Sequence, residues 1–112
     1  MTIPRIELSI AAEFTVTPGP RKRAEGEFSG EEFLEAVLRP RFVSALDTHS
    51  MLSVNLDGAA GYPTSFLEEA FGGLAREFGA EQVQSSLEVT CEDEPYLGDD
   101  IKRYIREASG KK

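Results

Sequence analysis

Residues 52–79 constrain the fold of this chain more than any other stretch. Apolar and polar residues alternate over residues 51–56, which predicts a strand with one buried face. A glycine-rich turn follows over residues 57–63, and an apolar stripe at helical spacing then predicts an amphipathic helix that Gly79 ends. A strand, a tight turn and a helix in this order indicate a unit of an α/β protein.

Two neighbouring hydroxyl residues, Thr64 and Ser65, stand where this helix is predicted to begin. Ser65 and Glu68 match the S-x-x-E capping box, in which the serine oxygen accepts a helix amide and the glutamate accepts the serine's own amide. This spacing predicts Ser65 as the N-cap. Because both hydroxyls would lie at an exposed corner beside free helix amides, Thr64 and Ser65 are also candidate phosphoacceptors. The sequence leaves both roles open.

Strand and helix patterns alternate in the rest of the chain. Residues 5–16 predict one or two strands and residues 83–92 another, while residues 99–108 predict a helix. A second capping box at Ser29 predicts the start of an earlier helix, which Pro40 should end or bend. We therefore predict one α/β domain over residues 1–112, with a mixed sheet of about four or five strands and helices packed mainly on one face. The residues predicted to be largely buried are Phe33, Val37, Val54, Leu56, Phe66, Ala70, Leu74, Val89, Ile101 and Ile105.

Charge and composition narrow the class of protein. The formal net charge of −8 argues against nucleic-acid binding, and the basic run at residues 21–23 is only three residues long. No apolar run approaches the ~20 residues of a membrane span, and residues 1–12 lack the apolar core of a signal peptide. The single cysteine, Cys91, allows no internal disulfide. We expect a cytoplasmic protein with no membrane attachment.

The sequence contains few of the residues that catalytic sites commonly use. His49 is the only histidine, which leaves metal binding and Ser/His catalysis without their usual groups. We therefore expect no enzymatic activity, no metal and no cofactor. The alternative is a small nucleotide-binding or anion-binding domain, or an enzyme, that uses the loop from Gly58 to Gly61 with Arg21 and Arg23 as anion contacts. That loop lacks both the G-x-G-x-x-G pattern and a Walker lysine.

The glycine pair Gly72 and Gly73 interrupts the predicted central helix. A glycine inside a helix costs about 1 kcal/mol relative to alanine, so the pair requires a reason. One interpretation is close packing of the helix against a neighbouring element. The other is a bare backbone surface on which a partner protein lies.

These residues also carry a resemblance to a known family. A strand that ends in an Asp-Gly turn, followed by a hydroxyl pair at a helix start, resembles the STAS domains of bacterial anti-sigma factor antagonists. The chain is more similar to the STAS-like proteins grouped as DUF4325, over roughly residues 14–106. The matching elements are Pro18-Gly19-Pro20-Arg21, Gly26-Glu27-Phe28-Ser29-Gly30-Glu31-Glu32-Phe33, Asp57-Gly58 with Gly61-Tyr62, and Ser65-Phe66-Leu67-Glu68-Glu69-Ala70-Phe71-Gly72-Gly73-Leu74.

The resemblance implies a non-catalytic regulatory module that works by partner switching in bacteria. The implied partner is an ATP-binding, histidine-kinase-like protein that docks on the strand-helix corner. In STAS domains the phosphoacceptor serine follows an aspartate and precedes a serine and a glycine. Here Pro63-Thr64-Ser65-Phe66 occupies that place, so Thr64 is the nearest equivalent. The candidate partner-binding residues are Asp57, Gly58, Tyr62, Phe66, Glu69, Gly72 and Gly73.

Overall fold

Three parallel strands form the sheet of this protein. The computed structural model describes residues 3–110. Within this range β1 (Arg5–Ser9), β2 (Met51–Asn55) and β3 (Leu87–Thr90) lie side by side in the order β1-β2-β3. Because parallel neighbours need a crossover connection, helical segments separate the strands along the chain.

The two faces of the sheet differ in polarity. Alternate residues of a strand share a face, and the register aligns Leu8, Val54 and Val89 in one apolar row across the three strands. The neighbouring row, Glu7, Ser53 and Glu88, is polar and belongs to the opposite face. The helices therefore cover the apolar face, as the sequence predicts.

Two long helical segments build the layer on this face. The first, residues 30–47, consists of α2 (Gly30–Phe33), a π-helical turn (Leu34–Leu38) and α3 (Arg39–Asp47). The second, which we call the central helix, covers residues 64–78 and consists of α4 (Thr64–Leu67), a π-helical turn (Glu68–Gly72) and α5 (Gly73–Phe78).

Shorter elements complete the described chain. A helical turn, α1 (Ile10–Glu13), follows β1, and a 3₁₀ turn covers Arg23–Glu25. The helix α6 (Ala80–Ser86) leads into β3, and α7 (Tyr96–Gly110) packs against the central helix. Among the described residues, no helix combines the length and apolar composition that crossing a membrane requires.

The predicted mixed sheet of four or five strands is corrected to three parallel strands in the described residues. Residues 10–13, predicted as strand, form α1 because the Oγ of Ser9 accepts the amide of Ala12 at 3.2 Å and caps a helical turn. The segment of residues 83–92 holds β3 at Leu87–Thr90 as predicted, and its first residues, 83–86, form the end of α6. Ile10 and Val83 are both fully buried, and a short apolar run has the same appearance in a buried helical turn and in a strand.

The effect of Pro40 is milder than its sequence position indicates. It is the second residue of α3, and the helix continues beyond it to Asp47. The amide of Arg39 bonds to the carbonyl of Leu34, five residues earlier, in the π-helical turn just before the proline. This wider turn lets the helix accommodate a residue that lacks an amide hydrogen.

The predicted core is largely correct. Val37 and Val89 are partly buried, and the other predicted core residues are buried. Aromatic rings fill the part of the core nearest to the carboxyl end of β2, with the centroids of Phe33 and Phe66 5.8 Å apart in a stacked arrangement. The start of the central helix is therefore fixed to the first long helix by direct ring contact.

Candidate functional site

The loop that joins β2 to the central helix is held in one shape by hydrogen bonds. We call residues 56–63 the corner loop. The hydroxyl of Tyr62 donates to the carbonyl of Leu56 at 2.7 Å, which closes the loop on itself. The amide of Ala60 donates to the carbonyl of Val16, also at 2.7 Å, which fixes the loop to the segment after α1. The surface around the loop is therefore preorganised.

Tyr62 is half-buried, although the sequence suggests an exposed interface anchor. Its ring lies 6.0 Å from that of Phe66, and burial is the main reason why the pKa of Tyr62 is raised above its ordinary value. The hydroxyl consequently stays protonated and keeps its bond to Leu56. Replacing Tyr62 by alanine would disturb folding as well as any contact with a partner, so it is a poor probe of docking.

The carboxylate of Asp57 joins the loops that follow β2 and β3. Its Oδ1 accepts the amide of Asp93 at 2.8 Å, and its Oδ2 accepts the amide of Glu92 at 3.0 Å. Asp93 returns a bond, since its Oδ2 accepts the amide of Gly58 at 3.3 Å. The amides of Asp93 and Glu92 lower the pKa of Asp57, because they stabilise its charged form. Asp57 thus has a structural role at this edge.

We predict that Asp57→Asn lowers stability at neutral pH and that this difference narrows in acid. The pKa of Asp57 is lower in the folded protein than its unfolded value of about 3.9. The charged carboxylate therefore stabilises the fold at pH values above about 3.9, and this contribution is lost as the pH falls through the folded-state pKa. Urea denaturation of both proteins at pH 7 and pH 3 measures the two differences. Asp47→Asn, at an exposed position of α3, controls for the charge change. If the difference in stability between the wild type and Asp57→Asn were equal at both pH values, the prediction would be contradicted.

The central helix begins two residues earlier than the predicted N-cap at Ser65 implies. Pro63 is its N-cap, and the carbonyl of Pro63 accepts the amides of Phe66 at 3.1 Å and Leu67 at 3.3 Å. The proline ring fixes φ at −60°, which suits a residue that leads directly into a helix. The capping box predicted at Ser65 is therefore wrong: no side-chain capping bond forms at this helix start, and Glu68 pairs with Arg21.

Mutation of the two predicted capping serines should change the stability of the protein by different amounts. Ser29 is a true N-cap: it is fully buried, and its Oγ accepts the amide of Glu32 at 3.0 Å. We expect Ser29→Ala to lower the free energy of unfolding by about 0.5–2 kcal/mol. Ser65→Ala should change it by less than about 0.5 kcal/mol. Denaturant unfolding of the two variants gives the comparison, and an equal loss in both would restore Ser65 as a cap.

The structure separates the two arginines that the sequence groups as an anion contact. Arg21 donates to Glu68 at 2.7 Å on the central helix. Arg23 pairs with Glu35 at 3.0 Å on the first long helix. The described bonds of the Gly58–Gly61 loop lead to Asp93 and Val16, in another direction. Among the described residues, no hydrogen bond or ion pair joins this loop to Arg21 or Arg23.

Several candidate partner-binding residues lie in the interior. Phe66 is 0% exposed in the aromatic core, Gly72 is buried, and the side chain of Glu69 is 10% exposed. A Cβ added to Gly73 would come within 2.6 Å of Leu34, so close packing explains that glycine. The candidates that remain at the surface are Asp57, Gly58 and Tyr62, together with Thr64 and Ser65.

Sequence reasoning missed Val16 in this region. Its side chain is 54% exposed, and its carbonyl bonds to the corner loop, so it adds an apolar group beside Ala60. Nothing local in the sequence marks it, because the bond to Ala60 joins segments that are distant along the chain. Thr64, at the start of the central helix, is exposed, and Ser65 is partly exposed.

His49 lies away from this surface. It follows α3, before the first residue of β2, whereas the corner loop follows the last residue of that strand. Its backbone φ of 54° belongs to the left-handed conformation that commonly ends helices. Within the part of the chain that the structure describes, no three His, Cys, Asp or Glu side chains group in a way that could hold a metal ion.

Comparison with protein families gives a match to the family described as a STAS-like domain of unknown function (DUF4325), over residues 29–97. The match includes α2, the corner loop and the whole central helix, and it leaves out the Pro18-Gly19-Pro20-Arg21 element. Neither a curated protein nor a solved structure matches this chain. Since the family match covers well over half of the sequence and includes the strand, loop and helix described above, the chain belongs to the DUF4325 family of STAS-like domains.

Proposed function

We propose that this protein is a non-catalytic regulatory module that binds a protein partner through the surface around its corner loop. The observation that carries the proposal is that this surface is fixed before any partner arrives. Three separate hydrogen-bond systems hold it, through Tyr62, Ala60 and Asp57. A preorganised surface loses little conformational entropy on binding, which favours affinity.

The composition of this surface suits a protein interface. Val16, Ala60 and Pro63 supply exposed apolar groups. Thr64 adds an exposed hydroxyl group, and Gly58 adds exposed backbone without a side chain. Interfaces commonly place apolar groups at the centre and polar groups at the rim. The partner that membership of a STAS-like family suggests is an ATP-binding, histidine-kinase-like protein, in a bacterial partner-switching system in the cytoplasm.

A phosphate on Thr64 would supply the switch. Thr64 is exposed and is the first residue of a helical segment that continues to residue 78, so a phosphate there would lie beside free amides and the positive end of the helix dipole. Glu68 and Glu69 follow, but Arg21 and Lys22 neutralise them. Phosphorylation adds about −1.5 to −2 charge, which would weaken binding to an acidic patch of the partner. Ser65 is the second candidate acceptor.

The experiment is a calorimetric titration against a histidine-kinase-like ATPase that the source cell contains, identified by pull-down and mass spectrometry. We expect Thr64→Glu to weaken binding at least about tenfold, because it places a charge in the contact. Gln84→Glu adds the same charge at an exposed position of α6, which leads into the opposite end of the sheet, and it should leave affinity unchanged.

Two results would contradict the proposal. Equal affinity of the wild type and Thr64→Glu would move the interface away from the corner. Capture of partners that include no such ATPase would remove the proposed partner class. Intact-mass analysis of protein from its native host tests the switch separately, since it detects a phosphate on Thr64 or Ser65 directly.

A further inference from the structure

A cleft of about 260 Å³ lies between the central helix and α7, and the proposed function does not use it. Its walls include Arg21 and Arg76, with Gly72 and Tyr104 between them, and Glu68 and Glu107. The volume is slightly below the range of about 300–1,000 Å³ that is typical of sites for drug-sized ligands. The cleft therefore suits a small molecule or a single chemical group of a larger one.

Positive groups converge at this cleft on one partly hidden carboxylate. The Nη1 of Arg21 and the Nη2 of Arg76 approach the same oxygen, Oε1 of Glu69, at 3.7 Å and 3.9 Å. The Nζ of Lys22 contacts the other oxygen at 3.0 Å. With Glu68 and the lining residue Glu107 included, three cations face three carboxylates, so the cleft is close to neutral in a chain whose net charge is −8.

Arg76 has unused hydrogen-bonding capacity toward the cleft. Its contact with Glu69, at 3.9 Å, is too long for a hydrogen bond, and its side chain is about half-exposed. Of the negative residues of the cleft, Glu68 receives a 2.7 Å bond from Arg21, whereas Glu107 lies 4.0 Å from Arg103, which is also too long for a hydrogen bond. An incoming anion would thus meet an arginine with free donors, and Glu107 is the lining carboxylate that would oppose it.

Packing alone does not explain Gly72, which lines the cleft. A Cβ added there would lie 3.4 Å from the Cβ of Ala108, an ordinary contact, whereas a Cβ on Gly73 would clash with Leu34. Alanine would also stabilise the helix by about 1 kcal/mol relative to glycine. Gly72 is buried, so its role here is to leave out a side chain: an added Cβ would narrow the cleft that the two guanidinium groups line.

We propose that this cleft binds a small oxyanion of the phosphate class, either free or carried on a monoester. The guanidinium forks of Arg21 and Arg76 would hold its oxygens, since arginine matches phosphate geometry with paired donors. The absence of a side chain at Gly72 would leave room for the oxyanion. This site differs from the one that the sequence suggests, because Arg76 replaces Arg23 and the Gly58–Gly61 loop takes no part.

The test is a titration of ¹⁵N-labelled full-length protein, followed by NMR at constant ionic strength, with inorganic phosphate, AMP and acetate as probes. We expect saturable shifts at the amides of Gly72, Arg76 and Tyr104 with phosphate. A larger affinity for AMP would indicate that the phosphate arrives on a monoester, and a larger one for phosphate would indicate the free ion. If acetate bound as tightly as phosphate and AMP, the assignment of the ligand to the phosphate class would be overturned.

Three variants test the assignment of residues. Arg76→Gln should weaken phosphate binding at least about tenfold, because it removes charged donors. Arg39→Gln is the matched control, since Arg39 pairs with Glu77 outside the lining of the cleft, and it should leave the affinity unchanged. Gly72→Ala should weaken binding while the protein keeps or gains stability. Absence of saturable shifts, or equal affinity in Arg76→Gln and Arg39→Gln, would overturn the proposal.

Discussion

Replacing Phe66 by alanine should lower the free energy of unfolding by about 3–5 kcal/mol. Phe66 is 0% exposed and lies among aromatic rings, with centroid distances of 5.8 Å to Phe33, 6.0 Å to Tyr62 and 6.4 Å to Phe14. Truncation would remove apolar burial, ring contacts and the filling of a cavity that these rigid neighbours cannot close. Equilibrium denaturation in guanidinium chloride measures the loss.

Phe28→Ala is the control for this substitution. Phe28 is 37% exposed, and its one described ring contact is edge-on with Phe14, so its truncation should cost far less. Similar losses in the two variants would mean that the aromatic core is not centred on Phe66. The result also matters for function, because any loss of partner binding in Phe66→Ala would report unfolding rather than a missing contact.

Local periodicity was sufficient to predict the elements that carry long apolar patterns. The central helix and α7 lie where their helical spacing placed them, and the alternation over residues 51–56 predicted β2. It was insufficient at Ile10 and Val83, where short apolar runs are buried in helical turns instead of strands. Of these two segments, only the one at Ile10 bears on the number of strands, because the residues after Val83 still form β3.

In the candidate site, too, the local features could be predicted and the contacts between distant residues could not. The position of the corner and its exposed Thr64 could be predicted, because a turn and a helix start are local features. The pairing of Arg21 with Glu68, 47 residues away, and the clamp between Asp57 and Asp93, 36 residues away, could not. These bonds exist only after the strands align, and they decide which charged groups remain free.

Pro63 illustrates how one residue overrides a matching motif. The S-x-x-E pattern at Ser65 describes a cap that would satisfy helix amides with side chains. The proline one step before Thr64 is the N-cap instead, and its carbonyl accepts the amides of Phe66 and Leu67. Glu68 is then free to pair with Arg21, and this pair is part of the wall of the cleft beside α7.

Leu74→Ala should lower the free energy of unfolding by about 2–5 kcal/mol. Leu74 is fully buried in α5, directly after the π-helical turn, so it tests the register of the central helix beyond that turn. Thermal and urea denaturation measure the loss. Gln82→Ala, at an exposed position of α6, should change stability by less than about 0.5 kcal/mol. A near-neutral Leu74→Ala would show that the helix register is wrong.

The same variant separates folding from docking. Leu74 has no exposed surface, and it lies nearly three helical turns from Thr64 along the central helix. At a temperature where Leu74→Ala remains folded, its affinity for the ATPase partner should therefore equal that of the wild type, while Thr64→Glu binds more weakly at full stability. If folded Leu74→Ala also bound more weakly, the interface would extend along the central helix, and the corner loop would no longer be sufficient to define it.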